Sequence, residues 1–370
     1  MANKLTVKLS DSDSLGSYLE QGLFEPLDAE IPGLPLPDEL HVKDWLRYRE
    51  LCAEGEEFTF LSDRLEQLKF PIRDGIHESK AYKNVVRRGE RFSDQAQQDR
   101  LVLDRPEQFT FQIYGHPAGR LPVLETTDRD DFERLYCALG NRSEPQTISS
   151  SVNAQTVAGL NNWHRVRRYR KVWENDHTAQ ALTGGWSREM KRVISEQPGT
   201  FRDRVMLIYV APYSGMSPSK LGLDCSDSEW LELSRTIRID HEFTHYLTKR
   251  IFGTMNKHLW DELLADFMGL TEALGEYHAN LFLRLIGIVD GQLRDGARFH
   301  TYTQGLSSDD KQELVELLSR ASRHIEVCYR LVCGEYQRID ILLAIARCGF
   351  FKWIRDDCCE TVEKFLSHEL

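Results

Sequence analysis

Residues 226–253 mark both ends of one long helix, and no other stretch of the chain fixes so much structure locally. Ser226-Asp227-Ser228-Glu229 has the spacing of a capping box, in which the serine accepts from a free backbone N–H and the glutamate reaches back. At the other end, Lys249 and Arg250 set positive charge against the helix dipole, and Gly253 can adopt the left-handed cap. Between them Ile239, Phe243, Leu247 and Ile251 recur every four residues as an apolar row, widened by Trp230, Leu233 and Ile237. The spacing predicts a helix over 226–252, buried on several sides.

Other segments are weaker but consistent. Arg204 to Val210 reads as a strand leaving into the turn Ala211 to Gly215, and Gln108 to Tyr114 alternates Phe109, Phe111 and Ile113 as a half-buried strand does, with Val123 to Thr126 as its expected partner. Helical patterns cover Val42 to Cys52, Glu78 to Arg88, Asp261 to Leu283 and most of Ser307 to Leu370, where Gly334 and Gly349 are the breakers. Pro26, Pro32, Pro35 and Pro37 around Gly33 favour extended chain, and the polar stretch Arg142 to Ser151 suggests a boundary. The expected fold is α+β, with a small sheet in the N-terminal and middle part and a helix-rich C-terminal half. Its expected divisions are an acidic, proline-containing strap over 1–60, a mixed α/β region over 61–200, and the region of the long helix over 201–370.

Charge narrows the partners. The formal net charge is -11, and residues 1–60, with 13 acids and 5 bases, hold -8 of it. Such a balance opposes general adhesion to nucleic acid or anionic membrane. Arg165, Arg167, Arg168, Arg170 and Lys171, interleaved with Trp163, Tyr169 and Trp173, form a basic aromatic run; a solvated or internally paired helix face is expected there rather than a nucleic-acid surface. No apolar run is long enough to span a membrane, and the first residues lack the apolar core of a secretory signal. The 8 cysteines show no C-x-x-C knuckle and are expected as reduced thiols, which points to the cytoplasm. Walker A, dinucleotide-binding glycine and G-x-S-x-G patterns are missing from the sequence.

Inside the long helix stands His241-Glu242-Phe243-Thr244-His245. At about 100° per residue the two histidines lie one turn apart on one face, so both imidazoles can reach one metal ion. Glu242 is turned away from the ligand direction, placed to hold a water rather than to be the third ligand. A catalytic zinc needs three protein ligands and one open position. The extended H-E-x-x-H-x-x-G-x-x-H pattern fails, since Thr248 stands for the glycine and Ile251 for the last histidine. Downstream, Asp261-Glu262-Leu263-Leu264-Ala265-Asp266 offers Glu262 and, one turn later on the same face, Asp266; either carboxylate could complete the set. Ala265 and Gly269 are small enough for that helix to approach the first closely.

These residues resemble the gluzincin zinc metallopeptidases, with H-E-x-x-H followed by a helix bearing E-x-x-A-D, over about residues 241–266. The resemblance implies one Zn²⁺ per chain bound by His241, His245 and Glu262, with Glu242 as general base toward a zinc-activated water and Asp266 accepting from the ring N–H of His241. It further implies a peptide or protein substrate laid along an edge strand, the place that Met206 to Tyr213 takes in chain order. His300, Tyr302 and Tyr213 are candidates to stabilise the oxyanion. Two other outcomes share the motif: a zinc-dependent hydrolase of a non-peptide amide, and a non-catalytic zinc-containing regulatory or binding protein.

Overall fold

The computed structural model describes residues 13–21, 24, 33–92, 100–178, 183–197, 199–253, 258–355 and 359–367. Pro26 and Pro32, part of the connection after Gly253, Cys358 and the chain's last residues lie outside the described residues. The fold is α+β, with a small four-stranded sheet in the N-terminal and middle part and a helix-rich C-terminal half. The chain forms two compact units, one over Pro35–Val210 and the other over Ala211–Leu370 with the described residues before Pro35.

The first unit is built on strands β1 (Phe109–Tyr114), β2 (Leu121–Thr126), β3 (Ala154–Asn161) and β4 (Arg202–Tyr209), in the order β1-β2-β4-β3. β1 pairs with β2, the partner expected at Val123 to Thr126, in antiparallel sense; β2 runs parallel to β4, and β3 returns antiparallel to β4. Helices Val42–Leu51 and Arg129–Gly140 supply Trp45, Tyr48, Phe132 and Leu135 to a core shared with Phe109, Phe111, Leu124 and Leu207. Because β4 is hydrogen-bonded on both sides, Met206–Tyr209 is an interior strand, and the edge-strand role expected for Met206 to Tyr213 is not available there. Glu78 to Arg88 is also not one helix: a single α turn at Lys80–Tyr82 widens into a π turn over Lys83–Arg87.

The polar stretch Arg142 to Ser151 is no boundary. Ser143 is buried, its N–H donates to Cys137 O at 2.9 Å, and Glu144 accepts from the backbone of Gly75 and His77 at 2.8 and 2.9 Å, which ties the loop into the unit. Nor do residues 1–60 form one strap. Leu15 and Leu19 of helix Asp13–Glu20 are buried in the second unit, whereas Val42, Trp45 and Tyr48, at helical spacing, belong to the core of the first.

In the second unit the long helix is Asp227–Phe252, capped by Ser226 and closed by Gly253, and it packs on helix Leu259–Leu274. The expected continuous helix from Asp261 to Leu283 is instead two, Leu259–Leu274 and Ala279–Ile286, because Gly275 takes the left-handed conformation at φ 76° and ends the first. Helices Ser308–Val332, Arg338–Cys348, Phe350–Arg355 and Cys359–Leu366 complete the C-terminal part. No helix among the described residues is long and apolar enough to cross a membrane.

A candidate metal centre on two packed helices

The long helix is held at both ends by its own sequence. Ser226 Oγ accepts from Glu229 N at 3.2 Å while Glu229 Oε2 accepts from Ser226 N at 2.8 Å, and Gly253, at φ 74°, donates to Lys249 O. Where the helix crosses its partner, Gly269 has no side chain to hold the backbones apart: a Cβ there would lie 2.5 Å from Ile237 O. The partner helix starts at His258, whose Nδ1 accepts from Trp260 N at 3.0 Å and whose Nε2 donates to Tyr18 O at 2.9 Å. The Tyr18 ring stacks on that imidazole at 4.2 Å, and its hydroxyl accepts from Leu259 N. Thus the first turn bearing Asp261 and Glu262 is fixed by a helix from the beginning of the chain.

Three donor groups meet between these helices. His241 Nε2 and His245 Nε2 are 3.0 Å apart, Glu262 Oε2 is 3.6 Å from the first, and Glu262 Oε1 is 3.4 Å from the second. All three residues are buried and form a group able to hold a metal ion. A zinc ion with bonds of 2.0–2.1 Å in tetrahedral array requires ligand atoms about 3.3 Å from one another. The separations, with each ring measured to its nearer Glu262 oxygen, lie near that value, and two imidazoles with one carboxylate are a donor set zinc accepts.

Carboxylates stand behind both rings. His241 Nδ1 lies 2.7 Å from Asp266 Oδ1, and His245 Nδ1 lies 3.2 Å from Asp261 Oδ2, close enough to pair though bent away from hydrogen-bond geometry. With the Nδ1 proton of each ring facing its carboxylate, both Nε2 lone pairs and the Glu262 carboxylate face one point, an arrangement that calls for a cation. Arg298 closes the back: Nη2 donates to Glu262 Oε2 at 3.0 Å and to Asp266 Oδ2 at 2.8 Å. Three carboxylates and one guanidinium leave -2 with both rings neutral, which one divalent cation cancels. The pKa directions report the same negative field, which favours a proton on His245 as it would favour a metal cation. Burial would lower His245, but Asp261 and Glu262 outweigh it and hold the ring well above the ordinary histidine value. Burial would likewise raise Glu262 and Asp266, and the histidines and Arg298 keep both carboxyls below the ordinary range.

The other expected residues sort as follows. Glu242 follows His241 on the same helix and is half-buried. Tyr213 is buried and its hydroxyl donates to Asp266 Oδ1 at 2.5 Å, which engages it behind the centre rather than leaving it for an oxyanion. Tyr302 lies beside Glu262; burial, and then that carboxylate, raise its hydroxyl well above the ordinary tyrosine value, so it is a neutral donor. His300 is exposed on the short helix Phe299–Tyr302. Asp261 and Arg298 were not anticipated. Asp261 was legible only as an acid in a first helical turn, and nothing local announces Arg298, which reaches Asp266 from 32 residues away.

In the sheet-bearing unit, the run Arg165 to Lys171 lies on helix Trp163–Asp176 and most of its charge is paired internally. Arg165 meets Asp203 at 2.6 Å, Arg167 meets Glu66 at 2.6 Å, Arg168 pairs with Asp44, and Arg170 with Glu174. Asn162 caps this helix and donates to Asp203 at 2.7 Å, giving Gly159 to Trp163 the role of a bulge and cap.

Fold and site together define an α+β chain with a centre of two histidines and one carboxylate set on two packed helices. The chain belongs to DUF7005, a family of unknown function whose model matches residues 3–350. No curated protein and no solved structure matches it.

Proposed function

We propose that this chain is a zinc-dependent metallopeptidase of gluzincin type, hydrolysing a peptide bond in a peptide or protein substrate in the cytoplasm. One observation carries the reading: two Nε2 atoms and a carboxylate at edges of 3.0, 3.4 and 3.6 Å, with each ring backed by a further carboxylate. Held by His241, His245 and Glu262, one zinc ion would supply Lewis acidity and lower the pKa of water toward ~7. Asp266 sets the orientation of the His241 ring, and Asp261 stands behind the His245 ring, which leaves both Nε2 atoms forward. Glu242, one position after a ligand and half-buried, would take the proton of the attacking water and deliver it to the leaving amine. Tyr302, hydrogen-bonded to Glu262, and Tyr213, which donates to Asp266, are both engaged by carboxylates of the centre, so neither stands out as the oxyanion donor.

A second reading has its own observation. Arg298 already pairs with Glu262, which also suits a fixed, non-catalytic zinc centre in a regulatory or binding protein. Metal content of the purified full chain, measured by mass spectrometry beside His245→Ala and Glu262→Ala, tests the centre: about one zinc per chain, lost in both variants, is expected. Glu242→Gln then separates the readings. An enzyme keeps its zinc and loses peptide-library cleavage by about 10²-fold or more. A chain that holds zinc but cleaves no peptide in either form is not a peptidase, and amide substrates of other kinds become the next screen. No zinc after reconstitution ends the proposal.

A further inference from the structure

We propose that the sheet-bearing unit contains a separate binding site for a small phosphate ester, in a cleft beside the bulge of β3. The cleft holds about 530 Å³, within the range of small-molecule pockets. Its floor is apolar and belongs to the core, with Val157 and Leu160 buried and the buried Tyr82 beside them. Arg87, Arg142 and Arg202 open on it, and none of the described residues that line it is an aspartate or glutamate. In a chain of net charge -11, three arginines in one cleft without an acid run against composition.

These arginines differ from their neighbours. Arg129, Arg134, Arg165 and Arg167 of the same unit each meet a carboxylate within 3.1 Å. Arg142 and Arg202 are exposed and their side chains make no ion pair or hydrogen bond among the described residues; Arg87 is 3.7 Å from Glu78 and donates to His77 O at 3.4 Å. Guanidinium forks left open on a concave surface are suited to the paired oxygens of phosphate.

The backbone is shaped for close approach. The β3–β4 register passes from Ala158 to Leu160 and leaves Gly159, at φ 82°, as the extra residue of a bulge. A Cβ placed there would have only Arg202 Cδ near it, at 4.0 Å, so the space over Gly159 is open. Arg142 is itself left-handed at φ 57°, a conformation that costs a non-glycine residue about 1 kcal/mol or more and that concentrates at functional positions. Burial raises the Tyr82 hydroxyl to about 12, so it stays neutral. A dianionic head among the arginines with an apolar body toward Tyr82, Val157 and Leu160 matches the charged and the apolar parts of the cleft.

The probe is phenyl phosphate, titrated calorimetrically into the full-length protein, with benzoate and phenol as comparisons. Saturable binding is expected, weakened about tenfold by Arg142→Ala or Arg202→Ala and abolished by both, while Arg105→Ala, exposed and outside the cleft, leaves it unchanged. The substituted side chains are at the surface, and circular dichroism verifies that each variant folds. Absence of saturable binding overturns the proposal, as does equal binding by the double variant. Benzoate binding as tightly as phenyl phosphate overturns the assignment to phosphate.

Discussion

Asp266 Oδ1 receives the Nδ1 proton of His241 at 2.7 Å, so a ring on one helix is oriented by a carboxylate on the next. The same carboxylate takes the Tyr213 hydroxyl and one nitrogen of Arg298, which holds it behind the ring, turned from the two Nε2 atoms. Glu262, not Asp266, therefore presents its oxygens to both Nε2 atoms. Asp266→Asn should keep the three donor groups and lower zinc affinity by about 10–100-fold, read by competition with a chromophoric chelator. Unchanged affinity would remove Asp266 from the centre.

Arg298 is the only arginine or lysine that pairs with Glu262 and Asp266 among the described residues, and it is itself largely buried. Replacing it with methionine leaves two buried carboxylates short of a partner, a loss on the order of 3 kcal/mol. A zinc ion held by Glu262 would restore cation charge beside that carboxylate. The rise in melting temperature on adding zinc should thus be larger for Arg298→Met than for the unaltered chain, and an equal rise would contradict this account.

Gly269→Ala puts a methyl group 2.5 Å from Ile237 O, on backbone that cannot move aside as a side chain can. The helices must separate, at a cost of about 1–3 kcal/mol. Since His241 and His245 stand on one helix and Glu262 on the other, separation also widens the donor triangle. Chemical denaturation and zinc titration should both show the loss.

His258 gives the second unit a pH dependence. Burial pushes this imidazole from 6.5 down to about 4, against the opposing hydrogen bond to Tyr18 O. Its Nδ1 is already an acceptor for Trp260 N, so a proton there would break the cap of the helix that carries Glu262. The unfolded chain binds the proton more readily than the folded one between the two values. Stability from this group is complete above about 6.5, falls as pH drops toward about 4 and is level below; the full difference is about 3 kcal/mol. His258→Asn keeps a capping oxygen without the titration. Urea midpoints at pH 7 and pH 5 should differ less for the variant than for the unaltered chain.

The sequence disclosed what is local. A capping box, a terminal glycine and a four-residue apolar row were enough to place the long helix within one residue at its start, and helical periodicity alone put His241 and His245 on one face. Gly269 was legible as a point of close approach because a missing side chain is visible in any alphabet. The losses were of two kinds. β3, with Gly159 in its middle and little apolar alternation, gives no period to find, and without β3 the interior position of β4 could not be inferred. Arg298, Tyr18 and Asp261 act across folded distance, and their partners are set by tertiary packing that no window of sequence contains.

Both ends of the long helix are anchored by residues that never approach the donor triangle. A helix free to shift by one residue would swing its histidines through about 100° and exchange them for their neighbours. Ser226, Glu229 and Gly253 forbid that slip. They act as the index marks of a dial, so a surface mutation at either end is able to misaddress the centre while leaving every one of its own residues intact.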